Sequence, residues 1–248
     1  MEVGFKSDRG MRRRNNEDAC FILLADKVYV VADGVGGGNA GEIASRTAVS
    51  QIAGYIVDNP MENTDDKYKI ASYFQQCLDK VNAHIHEMAC KHDANRGMAT
   101  TIVIVYADHG RAYVTNVGDS RAYLYRDGQM VQLTEDHTYV NALVKAGKLT
   151  REEAENDERK NVITKALGAE PEVEPDFFQV DIEAEDIILM CTDGLYDEVS
   201  DDEIIDVLDQ ELTMSATCSE LVNLANEHGG HDNITVISLR VTEEDIDE

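Results

Sequence analysis

Short apolar runs bounded by polar residues begin near the start of the chain, which is a pattern typical of paired β-strands. The runs DACFILL (18–24) and KVYVVA (27–32) have only two residues between them, and this spacing predicts a hairpin. Two stretches with helical spacing of apolar residues follow, at about 40–57 and 67–90. Four more β-like runs lie within 98–134, where the turns DHGR and RDGQ provide glycine for a positive φ.

The remainder of the chain begins with a different pattern. Residues 139–159 are helical in pattern, highly charged and poor in large apolar side chains, which indicates an excursion over the surface. Two strands are predicted next, and then two helices that open with capping boxes. These boxes are Ser200-x-x-Glu203 and Thr217-x-x-Glu220, and a last strand follows at 233–241.

The order of these elements predicts the fold class. Hairpins dominate, and the helices come in pairs instead of alternating with strands. We find no repeat and no linker that would divide the chain, so we expect a single domain over residues 1–248. This pattern favours an α+β fold in which antiparallel sheets carry layers of helices.

Composition narrows the possible partners and the compartment. The 248 residues include 22 Lys and Arg against 49 Asp and Glu, a formal charge of −27. Such a surface repels nucleic acid and anionic lipid headgroups, so we expect neither as a partner. The five cysteines are an odd number without a C-x-x-C pair, which fits a reducing compartment. With no signal peptide and no long apolar run, we expect a cytoplasmic protein.

A glycine-rich loop follows a predicted strand in VYVVADGVGGGNAGEIAS (28–45). Gly36, Gly38 and Gly41 have the G-x-G-x-x-G spacing of a dinucleotide site, but no second strand completes the β-α-β unit that such a site requires. Gly36 and Gly41 also have the spacing of a P-loop, which needs a lysine after the second glycine. Glu42 stands there and would repel phosphate. Both nucleotide interpretations are therefore disfavoured.

Four aspartates lie at the ends of predicted strands. Asp33, Asp119 and Asp193 follow apolar β runs, and Asp232 precedes the last one. One Asp-Gly pair is usually a turn, whereas four such positions suggest carboxylates that converge at one edge of the sheets. Convergent carboxylates repel each other unless cations neutralise them. Oxygen-only ligands favour Mg²⁺ or Mn²⁺, so the pattern predicts a two-metal hydrolytic site.

Eight short motifs follow one another over nearly the whole chain: SDRGMRRRNNEDA, VVADGVGGGNAGEIAS, GMATT, NVGDSRAYLYRDG, LTEDHT, NVITKALG, CTDGLYD and GGHDNITVI. In this order they resemble the metal-dependent protein phosphatases (PPM or type 2C serine/threonine phosphatases) in their compact bacterial form. The resemblance implies two stacked antiparallel β-sheets flanked by helix pairs, a four-layer αββα sandwich. It also identifies residues 139–159 as the flap beside the active site, called the flap segment below.

The resemblance implies metal-site roles for the residues that match the family's motifs. Asp33 is expected to bridge two Mn²⁺ or Mg²⁺ ions, and the Gly34 carbonyl to complete one of the two sites. Asp193 and Asp232 are expected to bind the other ion. Asp119 resembles the ligand of a third, more weakly held ion.

The same resemblance implies roles for the opening motif. Glu17 and Asp18 are expected to hold metal-bound waters, and Arg13 to bind the substrate phosphate. The guanidinium of Arg13 offers two donors to two phosphate oxygens. If this segment is a strand, Arg12 and Arg14 point away from Arg13.

The expected reaction is hydrolysis of phosphoserine and phosphothreonine on proteins by a hydroxide that bridges the two metals. The expected partners are phosphorylated proteins and a cognate serine/threonine kinase of the bacterial type, and the expected state is a monomer. Two alternatives stay open: a narrow phosphatase for a phosphorylated anti-sigma antagonist, and an inactive relative that only binds phosphoproteins. The retained Asp33, Asp193, Asp232 and Arg13 argue against the second.

The chain departs from the family at two positions. Val35 stands where some members have a histidine that is thought to act as a general acid, so protonation of the leaving group is expected from elsewhere. Asp157 and Glu158 stand where a His-Pro pair often occurs in the flap. Substrate preference therefore cannot be transferred from the family.

Overall fold

The computed structural model describes residues 1–37, 40–91 and 93–246, so Gly38 of the glycine spacing lies outside the described residues. The strands are β1 (Glu2–Asp8), β2 (Ala19–Leu23), β3 (Val28–Ala32), β4 (Gly34–Val35), β5 (Ala99–Thr100), β6 (Ile102–Asp108), β7 (Arg111–Val117), β8 (Arg121–Arg126), β9 (Gln129–Gln132), β10 (Asp176–Asp181), β11 (Ile187–Cys191) and β12 (Ile234–Arg240). The helices are α1 (Ala40–Asp58), α2 (Lys67–Lys91), α3 (Tyr139–Lys145), α4 (Arg151–Glu155), α5 (Asp193–Tyr196), α6 (Asp201–Leu208), α7 (Met214–His228) and α8 (Glu243–Ile246).

The strands form two antiparallel sheets of five strands each. Their orders are β1-β12-β11-β8-β9 and β10-β7-β6-β3-β2, and β4 and β5 make a separate pair. The predicted hairpin of β2 and β3 is present, with Leu23 opposite Val28. The predicted fold class is confirmed: the two main sheets are antiparallel, and helices accompany both.

Alternating side chains build three hydrophobic layers, because successive residues of a strand face opposite sides of the sheet. In β3, Val30 packs towards α1 and α2, whereas Val31 packs between the two sheets. In β11, Leu189 packs towards α6 and α7, whereas Met190 packs between the sheets. The sheets are therefore stacked, and each is covered by a pair of helices on its outer face.

Two tight turns show why glycine is needed where the sequence predicted it. His109 and Gly110 have φ of 51° and 66°, and Asp127 and Gly128 have φ of 50° and 75°. Two successive residues with positive φ are the signature of the hairpin turn that matches the twist of the flanking strands. The predictions from DHGR and RDGQ are confirmed.

Helix starts were predicted with mixed success. Ser200 and Glu203 form the predicted capping box at α6. Thr217 does not cap a helix: it is buried inside α7, which begins one turn earlier, at the N-cap Thr213. A capping box that the sequence analysis did not identify joins Thr150 to Glu153 at the start of α4.

Some elements around the site were not predicted from the sequence. The sequence analysis did not identify β1, the β4–β5 pair or α5, which begins at Asp193. The flap segment contains α3 and α4, as its helical pattern predicted, and most of its side chains are exposed. Within the described ranges, no helix is long and apolar enough to cross a membrane.

Candidate metal centre

Asp33 lies where β3 ends, and its main chain is held from two sides. Its N–H donates to Thr101 Oγ1 at 3.0 Å, and its carbonyl accepts from Thr100 Oγ1 at 2.7 Å. Thr101 Oγ1 also shares a hydrogen bond of 2.7 Å with Ser120 Oγ, next to Asp119. The ends of β3 and β7 are thus tied together, and two of the predicted aspartates are fixed near each other.

Asp193 is joined to Asp18 through its neighbour Thr192. The Thr192 hydroxyl donates to Asp18 Oδ2 at 2.9 Å and accepts from the N–H of Thr235 at 3.0 Å. One threonine therefore links the end of β11 to the start of β2 and to β12. This contact spans 174 residues of sequence, so the local pattern gives no signal for it.

Asp119 lies between β7 and β8, and Tyr196 supports its main chain. The Tyr196 hydroxyl donates to the Asp119 carbonyl at 2.9 Å. The guanidinium of Arg121 lies 3.5 Å from the centre of the Tyr196 ring, and Asp136 holds it with bonds of 2.7–3.1 Å. The sequence analysis gave no role to Tyr196, Arg121 or Asp136, although each lies inside one of its motifs.

Burial and like charge perturb four of these carboxyls, Asp18, Asp33, Asp119 and Asp193, which we call the carboxylate cluster. Burial raises the pKa of Asp18 to about 7, that of Asp119 to about 8 and that of Asp193 to about 6. The pKa of Asp33 lies well above its usual range, because of burial first and the charges of Asp18 and Asp193 next. Asp232 also raises the pKa values of Asp18 and Asp33. All five predicted aspartates therefore lie close enough to interact.

Three members of the carboxylate cluster also have an oxygen without a partner. Within the described residues, the Oδ1 atoms of Asp18, Asp119 and Asp193 are buried and accept no hydrogen bond. A buried carboxylate oxygen without a partner is costly, and such groups in native proteins need an explanation. A bound cation would satisfy these oxygens and relieve their mutual repulsion.

The arrangement sets a limit on how a cation would be held. No three His, Cys, Asp or Glu side chains in 1–37, 40–91 and 93–246 are placed to hold one ion by themselves. As they are placed here, the carboxylates do not enclose an ion by themselves, so backbone carbonyls and water would have to complete its shell. Mg²⁺ is usually bound in this way, and Mn²⁺ prefers the same oxygen ligands.

The glycines of this region allow a close approach of the backbone to Glu17. A Cβ on Gly41 would lie 2.1 Å from Glu17 Oε2, and a Cβ on Gly34 would lie 2.5 Å from the Glu17 carbonyl. The N–H of Gly34 donates to that carbonyl at 3.2 Å. Gly34 and Gly41 therefore let the loop after β3, the start of α1 and the Glu17 segment meet at the carboxylate cluster.

Asn233 fixes the opening motif beside Asp232. Its side-chain oxygen accepts from the N–H of Glu17 at 2.7 Å, and its amide nitrogen donates to the carbonyls of Arg9 and Asn15 at 2.8 and 2.9 Å. Asn233 therefore positions both Glu17 and the loop before it. The sequence analysis quoted this residue within GGHDNITVI but did not assign it this role.

Residues 9–15, which we call the arginine loop, form the rim of the site. They follow β1 as turns, so the strand geometry considered for Arg12, Arg13 and Arg14 is wrong. Gly10 has φ of 74°, and the N–H groups of residues 11 and 12 donate to the distant Gly230 carbonyl, which turns the chain out of the strand. Arg13 is half exposed, and its Nη2 donates to Asp232 Oδ2 at 2.5 Å. The predicted phosphate ligand thus lies directly beside a predicted metal ligand.

The flap segment is attached close to Asp193. Lys160 Nζ and Asn161 Nδ2, just after the segment, donate to the two carboxyl oxygens of Asp197 at 3.0 and 3.1 Å. Asp197 directly follows α5, the helix that begins at Asp193. The end of the flap segment therefore packs against the element that carries one of the clustered carboxyls.

Nearby residues with reactive side chains have structural contacts. His137 is buried, and its Nδ1 accepts from the Gly118 N–H at 3.0 Å. His231 is exposed and contacts Glu198. Cys191 is fully buried in the core beside α6 and α7, and burial raises the pKa of its thiol to about 12. Val35 is partly exposed and offers no proton donor at its position.

Comparison with known proteins gives a consistent result. A family model described as protein phosphatase 2C matches residues 11–233. The chain is 37% identical over 248 residues to protein phosphatase PhpP of Streptococcus pneumoniae, with 99% of each chain covered. A solved serine/threonine phosphatase of S. agalactiae has a TM-score of 0.90 and 36% identity, over 97% of this chain and 99% of that chain. The catalytic domain of the phosphatase PstP, solved with two manganese ions, has a TM-score of 0.85 and 32% identity, over 97% and 98% of the chains.

Proposed function

Since this chain belongs to the protein phosphatase 2C family and is a protein-serine/threonine phosphatase, we propose that it hydrolyses its substrates with divalent cations held at the carboxylate cluster. The main support is that Asp18, Asp119 and Asp193 each have a buried carboxyl oxygen with no partner among the described residues. Such a cluster is unfavourable by itself and becomes favourable around cations. Mn²⁺ and Mg²⁺ are the ions that its oxygen ligands suit.

Two ions would be held in the core of the site. Asp33 would contact both, and the Gly34 carbonyl would complete the site of one. Asp193 and Asp232 would bind the other. These roles are consistent with the Asp33 pKa, which burial raises and which the charges of Asp193 and Asp232 raise further.

Asp119 would hold a third ion more weakly. Its carboxyl is buried with an oxygen that accepts no hydrogen bond from the described residues, and its pKa is raised by burial and then by Asp193. Tyr196 holds the Asp119 main chain through the carbonyl, which leaves the carboxyl available to a ligand.

Glu17 and Asp18 would position water around the ions. Asp18 Oδ2 is held by Thr192, while its Oδ1 accepts nothing from the described residues. Glu17 is placed by Asn233 through its N–H, and its Oε1 accepts from Asn15 Nδ2 at 3.1 Å. Both carboxyls therefore have fixed orientations and an oxygen left for water.

Arg13 would bind the substrate phosphate at the mouth of the site. It lies on an exposed loop whose main chain is fixed, and its guanidinium can match two phosphate oxygens at once. Its present partner is the Asp232 carboxylate. A phosphate bound there would share or replace this ion pair.

The divalent ions, when bound, would supply a water of lowered pKa as the nucleophile and would neutralise the charge that develops on the phosphate. The chain's own residues then hold the substrate in line. The phosphoproteins that it acts on would be products of serine/threonine kinases of the bacterial type, whose effect this phosphatase would oppose.

A direct test measures release of phosphate from a phosphothreonine peptide and turnover of p-nitrophenyl phosphate. EDTA should abolish both activities, and Mn²⁺ should restore them. No phosphorylated protein should accumulate during turnover, since attack by water needs no covalent intermediate. Undiminished turnover in EDTA, or a trapped phosphoryl-enzyme, would overturn the proposal.

A further inference from the structure

The arginine loop has a charge opposite to that of the whole protein. The chain carries a formal charge of −27 with only 22 Lys and Arg in total, yet Arg9, Arg12, Arg13 and Arg14 lie within six consecutive residues. All four side chains are exposed. The loop therefore forms a compact cationic patch on an anionic surface, next to the proposed phosphate position.

Three of these arginines have no carboxylate partner. Within 1–37, 40–91 and 93–246, only Arg13 of the four forms an ion pair, with Asp232. The one hydrogen bond from the side chains of Arg9, Arg12 and Arg14 to the described residues runs from Arg9 Nη1 to the Arg14 carbonyl, at 3.5 Å. Three neighbouring cations thus stay unneutralised on a protein rich in carboxylates.

The cationic side chains in and beside the flap segment, in contrast, pair with carboxylates of the protein itself. Lys145 pairs with Glu135 at 2.7 Å, Arg159 with Asp157 at 2.7 Å and Lys160 with Asp197 at 3.0 Å; all are exposed pairs in or beside the flap segment. Intramolecular carboxylates were therefore available near the site. The charges of the arginine loop are left for another ligand.

The loop is held in place by bonds to its main chain. The carbonyls of Arg9 and Asn15 accept from Asn233, and the N–H groups of Met11 and Arg12 donate to the Gly230 carbonyl at 2.8 and 3.1 Å. These bonds fasten both ends of the loop to the segment that carries Asp232. The guanidinium groups consequently extend from a fixed base beside the catalytic centre.

We propose that Arg12 and Arg14, assisted by Arg9, bind acidic side chains that flank the phosphorylated residue, so that this phosphatase prefers phosphoproteins with Asp or Glu next to the phosphoserine or phosphothreonine. This inference rests on the proposed function. An extended peptide advances about 3.3 Å per residue, so carboxylates one to three residues from a phosphate held by Arg13 lie within reach of the neighbouring arginines. Each exposed ion pair contributes roughly 1.4- to 5-fold to binding.

The test compares three phosphothreonine peptides that differ only in their flanks, with Glu, Ala or Lys next to the phosphorylated residue. The variants are Arg12→Ala/Arg14→Ala and a control of equal charge change, Lys67→Ala/Lys69→Ala, at the start of α2. We expect the wild type to have a higher kcat/KM on the Glu peptide than on the Ala peptide, by roughly 2- to 30-fold, the range that two such pairs give. The arginine variant should lose most of this difference, and the control should keep it.

The remaining outcomes separate the two proposals. Turnover of p-nitrophenyl phosphate by the arginine variant should stay within about twofold of the wild type, because this small substrate has no flanks. Equal rates on the Glu and Ala peptides, or a preference for the Lys peptide driven by the net charge, would overturn this inference alone. An equal loss in the control would assign the preference to the overall field and overturn it too. No turnover of any substrate with Mn²⁺ would overturn the proposed function, and this inference with it.

Discussion

The carboxylate cluster and the arginine loop lie side by side, but the charged groups of the first are buried and those of the second are exposed. Asp18 and Asp119 are only 5% and 3% exposed, and the Oδ1 atom of each accepts no hydrogen bond from the described residues. The arginines of residues 9–14 are exposed to solvent, and three of them pair with no carboxylate within the described ranges. The ion pair between Arg13 and Asp232 joins the arginine loop to a carboxyl that interacts with this cluster.

The difference shows how burial determines whether a charged group influences the stability of the protein. Charges in a buried site interact strongly, so the carboxylate cluster affects both the stability of the protein and the binding of cations. Exposed charges are screened by water and salt, so the arginine loop has little influence on folding. We therefore expect substitutions in the cluster to affect metal binding and stability, and substitutions in the loop to affect substrate binding.

The largest expected effect follows from Asp193→Asn. The substitution keeps the size of the side chain and removes the charge that would hold a core ion, so activity should fall by several orders of magnitude. The metal-free protein should remain folded, because the loss of one buried charge also relieves repulsion from Asp232. Turnover with Mn²⁺ and a thermal melt of the metal-free protein test both parts. A folded variant with near-normal turnover would contradict the metal role of Asp193.

The next effect follows from Arg13→Lys, in the arginine loop. Lysine keeps the charge but cannot bind two phosphate oxygens in parallel. We expect a loss in kcat/KM equivalent to roughly 1.5–3 kcal/mol, the scale of hydrogen bonds to charged groups. The single variants Arg12→Ala and Arg14→Ala are the controls and should change little with p-nitrophenyl phosphate. Equal losses at all three positions would indicate a diffuse basic patch.

We expect a smaller effect for Asp119→Ala. This variant distinguishes a change in turnover from a change in stability. Turnover should fall tenfold or more, with the core ions still bound. The melting temperature of the metal-free protein should be equal or higher, because the substitution removes a buried carboxyl whose oxygen accepts no bond from the described residues and which Asp193 repels. Calorimetry with Mn²⁺ beside turnover measures both. A loss of stability with retained turnover would mean that Asp119 only supports the turn.

The smallest expected effect is a pH dependence of stability without metal. The pKa values of Asp18 and Asp119 are about 7 and 8 in the folded protein, against 3.8 as their ordinary value. The folded state then binds more protons than the unfolded state, so its stability falls as pH rises towards 8. Burial lowers the pKa of His137 from 6.5, which gives an opposite slope that fades as pH rises above 6.5.

In the pH range from 6.5 to 8, the change of stability with pH is therefore expected to come mainly from the carboxylate cluster. The melting temperature in EDTA should drop over this range by a few degrees, and saturating Mn²⁺ should reduce the drop, because the ions replace the protons. Asp119→Ala should show a shallower drop in EDTA than the wild type. A metal-free melting temperature that is flat or rising over this range would show that these carboxyls are not perturbed as described.

The sequence predicted what local periodicity controls. The β2–β3 hairpin, the bounds of α1 and α2 to within one residue, and the placement of four aspartates at strand ends all follow from apolar spacing and turn residues. The same patterns were misleading where two residues compete for one role. Thr217 has the spacing of a capping box, but Thr213 caps the helix, and the Thr217 hydroxyl donates to the Thr213 carbonyl instead.

The sequence pattern could not predict contacts between residues that are distant in the chain. Tyr196 supports Asp119 across 77 residues, and Asn233 supports Glu17 across 216. The arginine loop also departs from the strand geometry considered for it, because its N–H groups bind the Gly230 carbonyl. Which side chains approach the site was largely predictable, since topology brings strand ends together. How they are held was not, since that depends on tertiary hydrogen bonds.

The burial of Cys191 has a consequence for signalling under oxidative stress. Phosphatases that attack with a thiolate are silenced when peroxide converts that thiolate to sulfenic acid, and the reaction needs an accessible, ionised sulfur. Cys191 lies two residues before Asp193, but it is fully buried, and burial raises its pKa to about 12. Cys77 and Cys218 are buried as well. Peroxide at levels that stop thiol-dependent dephosphorylation should therefore leave Cys191 in its reduced form.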